Sequence, residues 1–577
     1  MAYAIVGWIL IEVSSTVLPT FQAPEWVLQT ITFLIVLGFP LALLLSWAYE
    51  LTPEGMKLER DVAAGESITQ VTGRKLDFAI IGALVLALGF VVYNYVLEDG
   101  SDELPEVAVI EPEQAVLPNS VAVLPFENLS LDPEDAFFAV GIHDAILNEL
   151  AKLQNMNVIA RTSVLRYADG QTPISEIAEE LNVETVMEGS VQYADGRILV
   201  TAQLIDPGTN AHLWSDSYNR EFSDIFAIQA DIAMNIANAL EAEFSLNEQE
   251  SIEAVPTESP AAYALYLRAV SVGFGTNVVE VASQYLDGAI GLDPNFALAY
   301  ARKAHLHATI LTGNAPGQQA EYEQVAQQSA ERALALDPTL AGPHVALAFV
   351  HQAHWRWAEA EQAFEQALSL SPNDAAFLSE YSRTKRYRGE YDVSIEAGRR
   401  ATELDPQSAQ SHYQLGISYR YARNYDAAVE AFRDVIELEP SSSGGHAWLA
   451  YSEISRGNWV DGTRELELAE QLYGERILSI RISQLATAYA QLGRRDDVER
   501  LFAALEARAE SSPVNAALWA LMYIALEDYD QALEWLAVAV DDEAPDLVPL
   551  GEIKANPYAD PVLDEPRFQD LRDRIGT

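Results

Sequence analysis

Five prolines in the second half of the chain recur at a nearly constant distance, and this period constrains the fold more than any other feature. They lie 44, 34, 34 and 34 residues apart, at Pro294, Pro338, Pro372, Pro406 and Pro440. A fixed period of this length, closed by proline, indicates helical hairpins that stack on one another. Stacking is required because a single hairpin cannot bury its own apolar face.

The best-formed unit covers residues 409–442 and has the residue pattern of a tetratricopeptide repeat (TPR). Its pattern positions are occupied by Leu415, Gly416, Tyr419, Ala428, Phe432 and Pro440. The small residues let the two helices of a hairpin approach closely, and the large residues fill the seam to the next unit. We predict an all-α TPR superhelix of about eight units over residues 261–546, followed by a C-terminal cap at residues 547–577.

Three apolar runs in the first hundred residues predict transmembrane helices at about residues 2–18, 27–49 and 78–97. The loop between the second and third runs holds Lys57, Arg60, Arg74 and Lys75, so the positive-inside rule places it in the cytoplasm. Residues 1–97 are therefore predicted to cross the lipid bilayer of a bacterial inner membrane three times. The later domains are then periplasmic, with a cytoplasmic placement as the alternative. Residues 98–118 are acidic and contain spaced prolines, which predicts an extended linker.

Residues 119–250 alternate between short apolar strands and amphipathic helices, which predicts a small α/β domain with a mixed sheet. Residues 121–124 have a strand pattern, residues 138–153 a helical one, and residues 185–205 the pattern of a β-hairpin. The chain contains no Walker A loop and no G-x-S-x-G, H-E-x-x-H or G-x-G-x-x-G motif. We therefore predict no enzyme activity, no catalytic residues and no cofactor.

Several segments of the α/β region resemble the TolB-like/FlgO-like domain. They are residues 120–130 (SVAVLPFENLS), 158–163 (VIARTS), 186–191 (VMEGSV), 200–206 (VTAQLID) and 212–218 (HLWSDSY). Bacterial proteins carry this domain between membrane spans and TPR units, and some of these proteins are described as adenylate cyclases. The apolar N-terminal part is similar as well, at residues 47–55 and 66–78, so that the resemblance covers nearly the whole chain.

The charge and the residue types exclude several classes of partner and site. The chain has 35 basic and 86 acidic residues, a net charge of -51, which argues against nucleic acid as a partner. It has no cysteine, so that disulfides and thiolate metal sites are excluded. His344, His412 and His446 occupy the same register position in three units, which favours a packing role, and we predict no metal site.

The first helices of TPR units line a concave groove, and the register of units three to six predicts which residues face it. These are Phe349, Gln352, Arg383, Arg386, Tyr387, Tyr413, Ile417, Arg420, Tyr421 and Tyr451. Residues 380–424 contain eight basic and six acidic residues, so this stretch is net positive in an acidic chain. One hypothesis is a clamp for an acidic or C-terminal-carboxylate peptide, because arginine and tyrosine anchor interfaces. The other is that the arginines neutralise neighbouring Glu and Asp residues.

Together these features predict a non-enzymatic, membrane-anchored scaffold. It would bind protein partners through the TPR groove and the TolB-like domain on the extracytoplasmic side. The alternative is a regulatory or sensory component associated with a separate signalling enzyme, such as a class III adenylate cyclase. A cyclase domain within the chain is not expected, because the predicted cytoplasmic loop at residues 50–76 is too short to hold one.

Overall fold

The computed structural model describes residues 49–52, 55–58, 116–242, 244–272, 277–311, 319–474, 479–541, 553–554 and 559–575. The chain divides into two units, residues 1–112 and residues 113–577. Within the first unit, strands β1 (Tyr49–Thr52) and β2 (Gly55–Leu58) pair antiparallel, with Tyr49 opposite Leu58. All other described elements belong to the second unit.

The prediction of a three-span membrane protein requires correction. The predicted spans at residues 2–18, 27–49 and 78–97 lie outside the described residues, except that Tyr49 begins β1. Within the described part of the chain, no helix is long and apolar enough to cross a bilayer. The longest described helix has 18 residues, Gln319–Leu336, and carries four charged side chains, Glu321, Glu323, Glu331 and Arg332. The described part of the structure therefore does not support the predicted transmembrane helices, the inner-membrane location or the lipid bilayer as a partner.

A mixed sheet forms the first part of the second unit. Its strands are β3 (Leu117–Val123), β4 (Glu127–Asn128), β5 (Asn157–Val158), β6 (Val183–Ala194), β7 (Arg197–Asp206) and β8 (Ala211–Glu221). The strand order is β5-β3-β6-β7-β8, and β4 pairs with β6. Strand β3 pairs in parallel with β5 and with β6, and β4 pairs in parallel with β6. The β6–β7 and β7–β8 pairs are antiparallel. Asp195 and Gly196 join β6 to β7 with positive φ angles at both positions, as a two-residue hairpin turn requires.

Helices cover both faces of the parallel part of this sheet. They are α1 (Ala136–Ala151), α2 (Arg161–Val164), α3 (Ile174–Leu181), α4 (Ile225–Ala239) and α5 (Leu246–Ile252). One apolar core joins the sheet to α1 and α4, and a smaller core lies under α2 and α3. The prediction of a mixed α/β region before an all-α region is confirmed.

Eight consecutive helical hairpins follow within the described residues, and we number them hairpins 1 to 8. Their helices are α6 (Pro260–Ser271), α7 (Val278–Leu292), α8 (Ala297–Leu311), α9 (Gln319–Leu336), α10 (Ala341–Ala353), α11 (Trp357–Leu370), α12 (Ala375–Tyr387), α13 (Tyr391–Leu404), α14 (Ala409–Tyr421), α15 (Tyr425–Leu438), α16 (Ser443–Ser455), α17 (Trp459–Tyr473), α18 (Ser479–Gln491), α19 (Arg495–Ala509), α20 (Ala516–Ala525) and α21 (Tyr529–Asp541). Two further helices, α22 (Asp560–Leu563) and α23 (Pro566–Ile575), end the described chain.

The same local chemistry begins and closes successive hairpins. Side chains at one repeat position cap the first helices of hairpins 4, 5 and 6 by accepting a backbone N–H bond, and they are Asp374, Ser408 and Ser442. The loops inside hairpins 3 to 6 each contain a residue with a positive φ angle at the equivalent repeat position. These residues are Trp355, Gly389, Arg423 and Gly457. A Cβ added to Gly416 would lie 2.7 Å from the ring of Phe432, so glycine permits the close approach of α14 and α15.

The α/β domain is docked onto the array at hairpins 4 and 5. The buried Asp405 carboxylate accepts bonds from Thr162 Oγ1 and Ser163 Oγ, each at 2.6 Å. The backbone N–H of Ala160 donates to the carbonyl of Leu404 at 2.7 Å. A second contact is apolar, because side chains of α6 in hairpin 1 belong to the core of the α/β domain. The α/β domain therefore bridges hairpin 1 to hairpins 4 and 5.

The C-terminal helices connect the end of the array to its middle. The apolar face of α23 packs with the last hairpin through Phe568, Leu571 and Ile575. Trp357, at the start of α11 in hairpin 3, belongs to the same buried cluster, and its Nε1 donates to the Ile575 carbonyl at 2.8 Å. Arg423 of hairpin 5 pairs with Asp560. The far end of the array is thereby fastened to hairpins 3 and 5.

Candidate functional site

The predicted groove residues lie on the first helices of four neighbouring hairpins. Phe349 and Gln352 are on α10; Arg383, Arg386 and Tyr387 are on α12; Tyr413, Ile417, Arg420 and Tyr421 are on α14; Tyr451 is on α16. Successive first helices lie side by side in the stack, so the register places these side chains along one surface. We call it the inner surface of hairpins 3 to 6.

Hydrogen bonds join each of these helices to the next one along the inner surface. Gln352 Nε2 donates to Thr384 Oγ1 at 2.6 Å and its Oε1 accepts from Arg383 Nη2 at 3.1 Å. The guanidinium of Arg386 donates to three acceptors on α14, which are the carbonyl of Gln414 at 3.1 Å, Gln414 Oε1 at 2.8 Å and Ser418 Oγ at 3.0 Å. Trp448 Nε1 of α16 donates to Tyr413 OH of α14 at 2.6 Å.

Cation–π contacts also join each first helix to the next one. The Arg386 guanidinium lies 5.4 Å from the ring centre of Tyr421, and Arg383 lies 5.8 Å from that of Phe349. Arg420 lies 5.5 Å from Trp448 and 5.7 Å from Tyr451. Each contact joins one first helix to its neighbour, and such pairs contribute about 0.5 to 2 kcal/mol, most when desolvated. These side chains therefore stabilise the stacking of hairpins 3 to 6.

Most of the predicted residues are consequently buried rather than presented as an open surface. Arg386 and Arg420 are only 3% and 2% exposed. Burial lowers the pKa of the Arg386 guanidinium, and the nearby Tyr387 and Tyr421 oppose this change. Phe349, Gln352, Ile417, Tyr421 and Tyr451 are buried as well, whereas Arg383, Tyr387 and Tyr413 are half-buried.

The basic residues of this stretch divide between two kinds of contact. Arg383 pairs with Glu380 at 2.6 Å, and Lys385 and Arg388 both pair with Glu361 and Glu390. These ion pairs are the contacts that the neutralisation hypothesis expects. The contacts of Arg386 described above are with amide, hydroxyl and aromatic groups, and those of Arg420 include the rings of Trp448 and Tyr451.

A recess opens on the inner surface next to Arg420. It is lined by Arg420, Tyr451, Gln484, Thr487, Ala488, Gln491 and Leu521. The recess is shallow and narrow, with a cavity volume of about 10 Å³, which is close to the space that one water molecule needs. Its lining combines a positive charge, hydroxyl and amide groups, and an aromatic ring.

Sequence reasoning identified Arg420 and Tyr451 but missed the recess residues of hairpin 7. The predicted groove covered only units three to six and was not extended to hairpin 7, where the step from α16 (Ser443) to α18 (Ser479) is longer than that from α14 (Ala409) to α16. With the longer step, Thr487 takes the register position of Tyr451 and Gln491 that of Ser455. The left-handed residues show the same step, from Gly457 to Gly493.

Two histidines that invite a metal interpretation have equivalent bonds in neighbouring hairpins. His412 Nε2 contacts the Pro406 carbonyl at 3.0 Å, and His446 Nε2 contacts the Pro440 carbonyl at 3.1 Å. Each side chain thus links its helix to the proline that closes the preceding unit. Within the part of the chain that the structure describes, no group of three His, Asp or Glu residues is arranged to hold a metal ion.

Comparison with known proteins identifies the repeat. Residues 409–442 match the family model of the tetratricopeptide repeat. Among solved structures, a tetratricopeptide repeat protein from Parabacteroides merdae is 17% identical, with 44% of this chain and 97% of that chain covered and a TM-score of 0.33. The pilF protein of Pseudomonas aeruginosa is 18% identical, with coverages of 46% and 99% and a TM-score of 0.29.

One curated relative matches a longer part of the sequence. It is a protein of Rhizobium meliloti (strain 1021) named "Putative adenylate cyclase 3", which is 34% identical over 275 residues. The match covers 47% of this chain and 47% of the relative. The chain therefore spans about half the length of the curated relative it matches.

Proposed function

We propose that this chain is a non-enzymatic scaffold that holds protein partners through its TPR array. The observation that carries the proposal is the recess of hairpins 5 to 8, in an array whose fifth hairpin matches the TPR model. Such arrays expose extended surfaces that suit a polypeptide ligand. The partner segment lies across the mouth of the recess, with an acidic side chain or its C-terminal carboxylate at the side of Arg420.

The recess chemistry selects this ligand. The Arg420 guanidinium supplies the positive charge that a carboxylate requires, and charge-assisted bonds are about twice as strong as neutral ones. Gln484, Thr487 and Gln491 supply donors and acceptors for the peptide backbone. Arg383 and Arg386 do not line the recess, and their contacts are with Glu380 and with the neighbouring first helices.

The domain plan is part of this proposal. Residues 119–250 form a TolB-like/FlgO-like domain that provides a second binding surface, and residues 261–546 form the TPR array with its cap at 547–577. The resemblance of the α/β segments supports the first assignment, and the eight hairpins support the second. The docking of the α/β domain on Asp405 holds the two parts in one arrangement.

Changing Gln491 to Glu tests the recess directly. The added carboxylate at the rim repels an acidic ligand, so we expect affinity to fall about tenfold, which corresponds to roughly 1.4 kcal/mol. The probe is a library of fluorescein-labelled decapeptides with an acidic C-terminal half and a free carboxylate, and binding to the full chain is measured by fluorescence anisotropy. The same peptides with amidated ends are expected to bind more weakly.

The matched control is Gln366→Glu, which places the same charge on the exposed side of α11 in hairpin 3. It is expected to leave peptide affinity within twofold of the unchanged chain. Equal affinities for the Gln491 and Gln366 variants would show that the recess is not the binding site. Failure of every acidic peptide to bind would remove the acidic-ligand proposal.

A second candidate function is a regulatory component of a separate class III adenylate cyclase. The observation that favours it is the name of the Rhizobium meliloti relative. The assay is cyclic AMP formation from ATP and Mg²⁺ or Mn²⁺ by the full chain. The scaffold proposal expects no product from the chain alone. Stimulation of an added class III cyclase would support the second candidate, and product from the chain alone would contradict both.

A further inference from the structure

The last part of the described chain joins hairpins that are far apart in the array. It consists of residues 553–554 and 559–575, and we call it the C-terminal strap. Six of its apolar side chains are buried in one cluster with side chains of hairpin 8. The same cluster includes Trp357 of hairpin 3, and the ring centre of Trp357 lies 5.7 Å from that of Tyr387 on the inner surface. The strap therefore joins hairpin 8 to one edge of the inner surface at hairpins 3 and 4.

A second contact joins the strap to hairpin 5. Arg423 pairs with Asp560, and Arg423 Nη2 also donates to the Lys554 carbonyl at 3.2 Å. Arg423 follows α14, and its backbone N–H donates to the carbonyl of Arg420 at 2.9 Å. The strap thus holds the end of α14 close to the arginine that lines the recess.

The recess spans the hairpins that the strap joins. Arg420 of hairpin 5 lines one end and Leu521 of hairpin 8 lines the other, and Leu521 belongs to the same buried cluster as the strap. Because the strap ties hairpin 8 to hairpin 5, it sets how far apart these two ends lie. The cavity volume of about 10 Å³ leaves space for about one water molecule, so a side chain cannot enter the recess in this state.

The contact with hairpin 5 is the easier one to break. The side chains of Arg423 and Asp560 are 38% and 49% exposed, and exposed ion pairs contribute little because water and salt screen them. The chemistry of the strap also matches that of the proposed partner, since residues 541–565 contain eight acidic residues and one lysine. An acidic partner segment therefore competes with the chain's own acidic segment for the same guanidinium group.

The contact with hairpin 3 is buried, but it contains two unfavourable features. Trp355 packs against the strap cluster with a φ angle of 55°, at the repeat position where hairpins 4 and 6 have Gly389 and Gly457. Its Nε1 is buried and has no hydrogen-bond partner among the described residues. A left-handed tryptophan is strained, and a buried unpaired N–H has lost its bond to water. Release of the strap lets both features relax.

We propose that the C-terminal strap is an autoinhibitory contact, which keeps the recess narrow until an acidic partner segment displaces Asp560 from Arg423. This inference rests on the proposed function of the recess. Displacement lets hairpins 5 and 8 separate, so the recess widens and admits the carboxylate of the partner toward Arg420. Because the strap belongs to the same chain, it competes with the partner at a high effective concentration.

The test compares Asp560→Arg with Asp570→Arg in the full chain. Both variants change the charge of the strap equally, but Asp560 is the residue that pairs with Arg423, whereas Asp570 is an exposed residue of α23. Binding of the free-carboxylate decapeptides is measured by fluorescence anisotropy. Apparent affinity scales with the fraction of chains in the open state, so we expect it to rise about fivefold in Asp560→Arg and to stay within about twofold in Asp570→Arg.

A second variant and a second measurement report release of the strap itself. Trp357→Ala frees the other end of the strap without a change in charge, and it should raise peptide affinity at least as much as Asp560→Arg. Hydrogen exchange of residues 559–575 without peptide should become faster in Asp560→Arg and in Trp357→Ala, but not in Asp570→Arg. This measurement does not depend on any ligand.

The outcomes separate this inference from the proposed function. If the peptides bind the unchanged chain and the Asp560 variant equally, or if exchange of residues 559–575 stays the same in the Asp560 variant, the strap is not autoinhibitory, although the recess still binds the partner. Binding to the released variants alone would support both proposals. Absence of binding to the unchanged chain and to every variant would overturn both.

Discussion

Replacing Trp357 with alanine is expected to lower the free energy of unfolding of the C-terminal part of the array by about 4 kcal/mol. The substitution removes a buried ring from the cluster that holds α23 and leaves the Ile575 carbonyl without its donor. Because repeat arrays open locally, release of the C-terminal segment is measured by limited trypsin digestion at Arg567, Arg572 and Arg574. Urea unfolding followed by circular dichroism gives the overall loss of stability.

Trp459→Ala is the matched control, since Trp459 occupies the same repeat position three units later and is exposed. Its effect is expected to stay within about 0.5 kcal/mol, as for most exposed positions. Equal losses for the two tryptophans would contradict the proposed fastening of α23 to hairpin 3. No acceleration of tryptic cleavage in the Trp357 variant would contradict it as well.

Replacing Asp405 with alanine is expected to loosen the α/β domain from the array at a cost of about 3 kcal/mol. The reason is that the hydroxyls of Thr162 and of the buried Ser163 lose their shared carboxylate, and hydrogen bonds to charged groups contribute about 1.5 to 3 kcal/mol. The local measurement is hydrogen exchange of residues 157–167, which should become faster. Differential scanning calorimetry should show a larger difference between the melting temperatures of the α/β domain and of the TPR array.

Asp337→Ala provides the control for this prediction. Asp337 occupies the same repeat position two units before Asp405, and its carboxylate bonds only locally to Thr339 in the contacts described. We expect less than about 1 kcal/mol of change and no change in exchange at residues 157–167. If both aspartates have the same effect on exchange, Asp405 does not hold the α/β domain in place.

The sequence predicted the parts of this fold that depend on local patterns. The regular repeat period, the capping positions and the alternating strands are set by neighbouring residues, so the array and the mixed α/β region follow from them. The contact between Trp357 and Ile575 joins residues 218 positions apart, and that between Thr162 and Asp405 spans 243. A repeat period does not show such long-range contacts, and the sequence therefore did not predict the docking of the α/β domain or the contact of the C-terminal segment with hairpin 3.

The sequence predicted only part of the candidate site, again because local patterns do not show how distant residues pack together. The register placed the predicted residues on the first helices of hairpins 3 to 6, but it could not show that stacking brings Arg386 close enough to α14 to be buried there. The predicted groove also ended at unit six, so that it did not include Gln491 of hairpin 7, which lines the recess. The predicted membrane spans rested on apolar runs, loop charges and the family resemblance, and the described part of the structure, in which no helix could cross a bilayer, does not support them.

Hydrogen–deuterium exchange of the full chain with a saturating acidic decapeptide tests the central claim most directly. The peptide is the tightest binder from the free-carboxylate library. The account predicts slower exchange in α14, α16 and α18, which line the recess, with no change in the α/β strands. Protection confined to the α/β domain, or no protection in these three helices, would contradict the claim that the TPR array holds the partner.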